Sequence, residues 1–377
     1  MAASDFARAR VATRLTFFAS GFAPAGWAPL VPYARQALHA DDATMGLLLL
    51  CLGLGSLGAM LLTTPLNAKF GSRPVIIAGC IGAGLFLPCL SIAHSNLTLA
   101  LSLLCFGASI GSLDVTMNVH AAEVEKLSAR NLMSGFHALY SIGGFAGASM
   151  MTFLLSQHMG PLKSALVCAV IVLVATALAG PGLLQQKGAH EATLFVIPRG
   201  IVRVIAALTA IIFLVEGAVL DWGALFATQF GLVSVTMGGL GYTLFAIAMT
   251  AGRLTGDRVT AHVGNIATLV GGSVLTIAGF AILQMAPFAM MAMSGFALIG
   301  FGASNIVPVL IRCTSVQTVM PSGLAITAVT SVGYAGVLIG PAGVGFVAHA
   351  LGLRIAFWIL AALMLLIPLC ARRICSR

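Results

Sequence analysis

The chain has 377 residues, 59% of them hydrophobic and only 8% charged, with a mean hydropathy of +1.06 and a formal net charge of +9. Soluble domains carry about a quarter charged residues, so composition excludes a soluble fold. It also excludes a nucleic-acid footprint, because the basic residues stand singly between apolar runs rather than in patches. The 43 glycines suit helices packed backbone to backbone in lipid. Eight cysteines without metal-ligand spacing read as small, reduced packing residues.

A crossing needs about 20 apolar residues, and twelve such runs follow one another: 13–36, 44–66, 74–94, 97–121, 132–157, 161–184, 202–230, 236–256, 265–285, 287–311, 322–349 and 353–371. Arg8, Arg10 and Arg14 precede the first run with no small-residue cleavage site behind it, which predicts a retained first span. With that end inside, sixteen basic residues fall on the cytoplasmic side and only Arg35, Lys163 and Arg354 outside. The positive-inside rule then predicts a multi-pass protein of the inner (plasma) membrane with both termini cytoplasmic. The fold class expected is an all-α membrane protein of twelve transmembrane helices in two six-helix pseudo-repeats. The polar stretch from Gln185 to Gly200 separates them, giving an N-terminal bundle at 1–184, a cytoplasmic linker at 185–200 and a C-terminal bundle at 201–377.

An internal echo supports that division. Leu66-Asn67-Ala68-Lys69-Phe70-Gly71-Ser72-Arg73 follows the second run, and Gly252-Arg253-Leu254-Thr255-Gly256-Asp257-Arg258 follows the eighth. On these segments and its twelve runs the chain resembles the major facilitator superfamily, whose loop between spans two and three typically reads Gly-x-Leu-x-Asp-Arg-x-Gly-Arg-Arg. The resemblance implies a cytoplasmic gate at Arg73, Arg253, Asp257 and Arg258, although Ala68 stands where the first-half acid is expected. Phe17-Phe18-Ala19-Ser20-Gly21-Phe22-Ala23, the pair Asp114 and Asn118, and Gly252-Arg253-Leu254-Thr255-Gly256 further resemble the fucose-permease-like branch of sugar–proton symporters. That likeness implies a proton-coupling role for Asp114. The branch's first-span acid falls on Ala28, while span seven carries two acids that the fucose carrier lacks, Glu216 and Asp221.

An intramembrane carboxylate costs about 2.5–3.5 kcal/mol on the insertion scale and marks a functional candidate. At 100° per residue Gly107, Gly111, Asp114 and Asn118 share one helical face. Asp114 lies twelve residues before Lys126, and Glu216 thirteen after Arg203, or about 18 and 20 Å of helix, so both reach mid-membrane depth. Asp114 and Glu216 are the expected proton-coupling acids, with His137 as a relay; the competing roles are a structural hydrogen bond to a neighbouring helix for Asp114, a permanently neutral or helix-tethering acid for Glu216 and a satisfied interfacial histidine for His137. The expected solute-binding residues are Asn118, Trp27, Tyr140, Ser141, Asp221, Trp222 and Asn305. Trp222 fits a cavity wall or an interfacial belt equally, Trp27 fits the cavity wall better than the belt, and Asn305 fits interhelical bonding as well as solute contact.

The sequence has no Walker loop, HExxH, nucleophile elbow or dinucleotide fingerprint. The expectation is a carrier, not an enzyme, without cofactor or metal and with no nucleic-acid partner. It would be a monomer in the bilayer that moves a small polar, sugar-like solute by alternating access with protons. The alternatives are an exporter of drugs or metabolites and a transport-inactive sensor or scaffold.

Overall fold

A computed structural model describes residues 3–127, 132–185 and 196–375. Among them every regular element is helical: α1 (Ala3–Trp27), α2 (Val31–Leu38), α3 (Asp42–Phe70), α4 (Ser72–Ser91), α5 (Asn96–Lys126), α6 (Met133–Ser156), α7 (Pro161–Ala179), α8 (Ile201–Gln229), α9 (Leu240–Val263), α10 (Asn265–Met285), α11 (Ala289–Ala303), α12 (Ile306–Val316), α13 (Ser322–Leu351), α14 (Leu353–Met364) and α15 (Leu366–Cys375). Eleven segments among the described residues are long and apolar enough to cross a membrane. The remaining expected crossing begins in α1, whose first half carries Asp5, Arg8, Arg10 and Arg14.

Three expected spans are each built from two helices, and proline explains where they divide. Pro29 and Pro32 remove two backbone donors, so α1 passes into a 3-10 turn at Ala28–Leu30 before α2 resumes. Pro308 and Pro368 each occupy the third position of a new helix, beyond the interruptions at Asn305 and Leu365. The eighth span differs from expectation in the opposite sense. Its helix does not stop with the apolar run near residue 256 but continues to Val263, because nothing in Asp257-Arg258-Val259-Thr260 breaks a helix.

The chain forms two compact units, one of Met1–Ala40, Cys51–Ala192 and Val235–Gly239, the other of Asp41–Leu50, Thr193–Ser234 and Leu240–Arg377. Most of the expected linker, 186–195, lies outside the described residues. In the first unit α1 packs along α6, and α5 lies against α3 and α4. Phe17 stacks on Phe136 at 5.6 Å within a core that includes Met117, Ala121 and Val124. In the second, α8 packs along α13 and α11 lies against α9 and α10. Phe357 stacks there on Phe226 at 4.6 Å and meets Phe280 edge-on at 5.9 Å.

Each unit also turns on a glycine of the same conformation. Gly71 (φ 85°, ψ 167°) joins α3 to α4, and Gly264 (φ 85°, ψ 165°) joins α9 to α10. Residues with a side chain reach that region at a cost of about 1–3 kcal/mol. A methyl at Gly264 would touch nothing within 4 Å, so any penalty is a backbone one. We expect Gly71→Ala and Gly264→Ala each to lower the melting temperature of the purified protein, while Gly135→Ala and Gly271→Ala, at helical sites with open space, leave it unchanged or raise it.

Six described cysteines are free, but Cys313 of α12 and Cys375 of α15 form a disulfide across 62 residues, which corrects the expectation of eight thiols. Their Cα atoms are 5.6 Å apart because the last helix folds back beside α12.

Candidate functional site

Glu216 lies near the middle of α8 in a run of Ile, Phe, Leu and Val, and Arg253 lies near the middle of α9. The two helices bring Arg253 Nη2 to 3.6 Å from Glu216 Oε2. That is longer than the 2.7–2.9 Å of a charge-assisted hydrogen bond, so the contact is an ion pair held by charge rather than by a directed proton. Glu216 Oε1 is buried and has no hydrogen-bond partner among the described residues. The Arg253 side chain is 38% exposed against 21% for Glu216, so the cation lies on the more accessible side of the pair.

The turn of α9 that carries Arg253 is braced from the interruption between α11 and α12. Asn305 Nδ2 donates to the carbonyl of Gly252 at 2.9 Å and to Ser304 Oγ at 2.9 Å. Asn305 therefore bonds between helices, one of the two roles its sequence context allowed. Asp221, further along α8, is 8% exposed. Trp222 beside it and Trp27 in α1 are fully buried, and neither indole nitrogen has a hydrogen-bond partner among the described residues. These tryptophans lie within helix packing rather than in an interfacial belt.

In the first unit, Asp114 and Asn118 are both half-buried on α5, and the Asn118 amide donates to the Asp114 carbonyl at 2.8 Å. The face they share with Gly107 and Gly111 has a packing role as well. A methyl at Gly107 would lie 2.7 Å from the Leu52 carbonyl carbon, and one at Gly111 would lie 2.7 Å from Ser56 Cα, so this stripe is where α5 meets α3. His137 is exposed and sets its ring edge-on to Phe17 at 5.2 Å. Tyr140, one turn on, packs against the Phe17 core, and Ser141 is half-buried. Of the expected gate residues, Arg73 is half-buried just past Gly71, Arg258 is exposed on the last turns of α9, and the Asp257 side chain lies outside the described residues.

Two polar side chains have fixed structural roles that sequence reasoning did not assign. Fully buried His120 accepts the Leu184 N–H at Nε2 (2.9 Å), which leaves Nδ1 to donate to Thr13 Oγ1 (3.2 Å), whose hydroxyl donates to the Ala9 carbonyl (2.8 Å). Every proton in that chain has an acceptor, so the ring is a tether between α5, α1 and the segment after α7. Loss of one partner would leave buried groups unsatisfied, at about 1–3 kcal/mol each. His120→Ala is expected to lower stability by roughly that amount, with solute flux per folded molecule unchanged; thermal melting and flux on the same preparation check both parts. Glu125 accepts the N–H groups of Leu132 (2.5 Å) and Met133 (2.7 Å) and so caps α6. No signal in the sequence marks either partner set.

Known proteins agree with this architecture. A sequence model of the Major Facilitator Superfamily matches residues 15–318. An uncharacterized MFS-type transporter of Yersinia pestis is 44% identical over 366 residues, 97% of this chain and 95% of the relative. The membrane protein MosC of Rhizobium meliloti is 30% identical over 345 residues, 91% of this chain and 84% of its own. Among solved structures, the nucleoside transporter NupG superposes with a TM-score of 0.78 at 13% identity, covering 98% of this chain and 99% of that one. A bacterial homolog of the human lysosomal transporter Spinster, inward-facing and unoccupied, gives 0.75 at 13% identity over 100% and 98%. At that identity the two structures speak for the fold alone. The chain belongs to the Major Facilitator Superfamily and is a transporter of that family.

Proposed function

We propose that this transporter moves a small polar, sugar-like solute by alternating access, driven by protons that load and leave Glu216. One observation carries the reading. A carboxylate near the middle of a membrane-spanning helix has one oxygen in an ion pair with Arg253 and the other without a hydrogen-bond partner among the described residues. When Glu216 is ionised, charge holds α8 and α9 together at this point. A proton on Glu216 removes that attraction and releases the guanidinium to meet an oxygen of the solute. Proton binding and solute binding thereby act on one pair of helices.

Asp114 is the second acid of this proposal, with Asn118, Tyr140 and Ser141 as solute contacts and His137 as a relay. Glu216, Asp221 and Asn305 stand in the other half, with Trp27 and Trp222 as aromatic supports for the solute walls. Arg73 and Arg258, with Asp257, complete the cytoplasmic gate. The carrier we propose is a monomer in the inner membrane with both termini cytoplasmic and halves at 1–184 and 201–377. Its substrate class follows the fucose-permease-like segments. A second reading, export of a cationic compound, is favoured by Asp221, a second buried carboxylate on α8, five residues beyond Glu216.

A thermal-shift screen separates the two, because a ligand that binds only the folded state stabilises it by mass action. Hexoses, pentoses, sugar acids and amphipathic cations are tested on purified protein. Stabilisation by neutral sugars supports the first reading, and stabilisation by cations alone overturns it in favour of the second.

A further inference from the structure

We propose that Asn305 is the positioning residue of the Glu216–Arg253 pair, holding the peptide from which Arg253 projects. The Gly252 carbonyl and the Arg253 N–H belong to a single planar unit. A hydrogen bond to that carbonyl therefore fixes the plane that leads directly into the Arg253 Cα. Asn305 Nδ2 makes this bond at 2.9 Å, on a carbonyl that lies within α9.

Three further features build the contact. Gly252 and Gly256 stand one turn apart on the face of α9 turned to the interruption of the tenth span. A methyl at Gly252 would lie 2.7 Å from Ser304 Cβ, and one at Gly256 would overlap the Asn305 amide, with Nδ2 2.9 Å away. The two glycines thus form a socket for Ser304 and Asn305. Ser304 is 1% exposed and donates its own proton to the Phe301 carbonyl at 2.6 Å, leaving its oxygen to accept from Asn305. Asn305 itself sits at the N-cap of α12 with φ −107° and ψ 0°, and no side-chain cap bond is made there, so its amide is turned outward to α9. The interruption that Pro308 permits places an amide on α9 where a continuous helix would place its own closed ladder.

The consequence for Arg253 is directional. At 3.6 Å the guanidinium is not locked to Glu216 by a hydrogen bond, so the pair has no geometry of its own to fall back on. Its registration depends on the backbone beneath it. Asn305 acts through Arg253 and touches neither Glu216 nor any proton.

For transport, this inference rests on the reading that the pair carries coupling; for the structure, it stands without it. The test is a double-mutant cycle on full-length purified protein, read as melting temperature in detergent. Asn305→Asp keeps the shape and removes the donor. Should N305D fail to fold, Gly256→Ala displaces the same amide while leaving Asn305 in place. The expected result is that Glu216→Gln shifts the melting temperature by less than half as much in the N305D or G256A background as in the wild type. Equal shifts in both backgrounds overturn the positioning role. Proton-driven and counterflow uptake of whichever sugar the screen identifies are then measured with N305D. Loss of the driven component with counterflow KM unchanged extends the role to coupling. Non-additive stability with driven uptake intact contradicts the coupling reading of the pair and leaves the positioning role standing.

Discussion

Glu216→Gln is expected to abolish proton-driven accumulation while solute exchange continues. Glutamine keeps the size of the side chain and its capacity to accept from Arg253, but it cannot take up and release a proton in the accessible pH range. A gradient of one pH unit amounts to about 1.4 kcal/mol, enough for about tenfold accumulation at one proton per solute. Wild-type vesicles should approach that ratio, and the variant should stop at equal concentrations inside and out. Counterflow needs only that both loaded states reorient, so it should remain within about twofold of wild type. Arg253→Gln makes the complementary case, because an ionised Glu216 then has no counter-charge among the described residues, and exchange itself should slow. Uptake of labelled solute with and without a pH gradient, beside counterflow on the same vesicles, separates these outcomes.

Gly111→Leu is expected to be strongly damaging to the fold. Without a hydrophobic driving force between helices in lipid, association depends on close packing at small residues, and α5 meets α3 through Gly107 and Gly111. The methyl that alanine would add at Gly111 already lies 2.7 Å from Ser56 Cα and 2.6 Å from its hydroxyl oxygen. These are a backbone atom and a short side chain, neither of which can swing away. Overpacking of this kind costs about 1–3 kcal/mol for a modest excess, and a branched side chain against backbone belongs at or above the upper end. Melting temperature should fall by roughly 5–10 °C or the protein should fail to accumulate folded. Gly135→Leu, placed where a Cβ meets nothing, serves as the control and should behave as wild type in the same melt.

The helical architecture was legible because apolar runs of membrane length recur through the chain, and two helix-ending glycines stand at the repeated polar segments, Gly71 within the first copy and Gly264 six residues beyond the second. The interruptions were partly legible. Pro29, Pro32 and Pro308 mark them, but the amide that uses the gap at Asn305 finds its carbonyl 53 residues away, which no local pattern records. Arg253 stands in the repeated segment whose resemblance implies a gate, and the apolar run around it ends near residue 256, whereas α9 ends at Val263. Hydropathy reports where a helix leaves the apolar layer, not where its backbone bonding stops. The extra turns make Arg253 a mid-helix residue within reach of an acid on the neighbouring helix. His120 illustrates the same limit. Its partners are 107 and 64 residues distant, so only the packing of α5 on α1 shows it as a tether. The sequence places Gly107 and Gly111 on the face of Asp114 and Asn118, and that stripe serves the α3 contact; small residues suit a packing seam or a polar wall, and only the neighbour decides between them.

The account turns on whether protons move with solute through Glu216. The direct measurement is the internal pH of proteoliposomes containing wild-type protein, followed with a trapped pH-sensitive dye as a stabilising sugar is added outside without any imposed pH gradient. Acidification of the lumen that depends on the sugar, and that is lost in Glu216→Gln vesicles of equal protein content, is the result predicted. Sugar entry at the wild-type rate with no change in internal pH would contradict it.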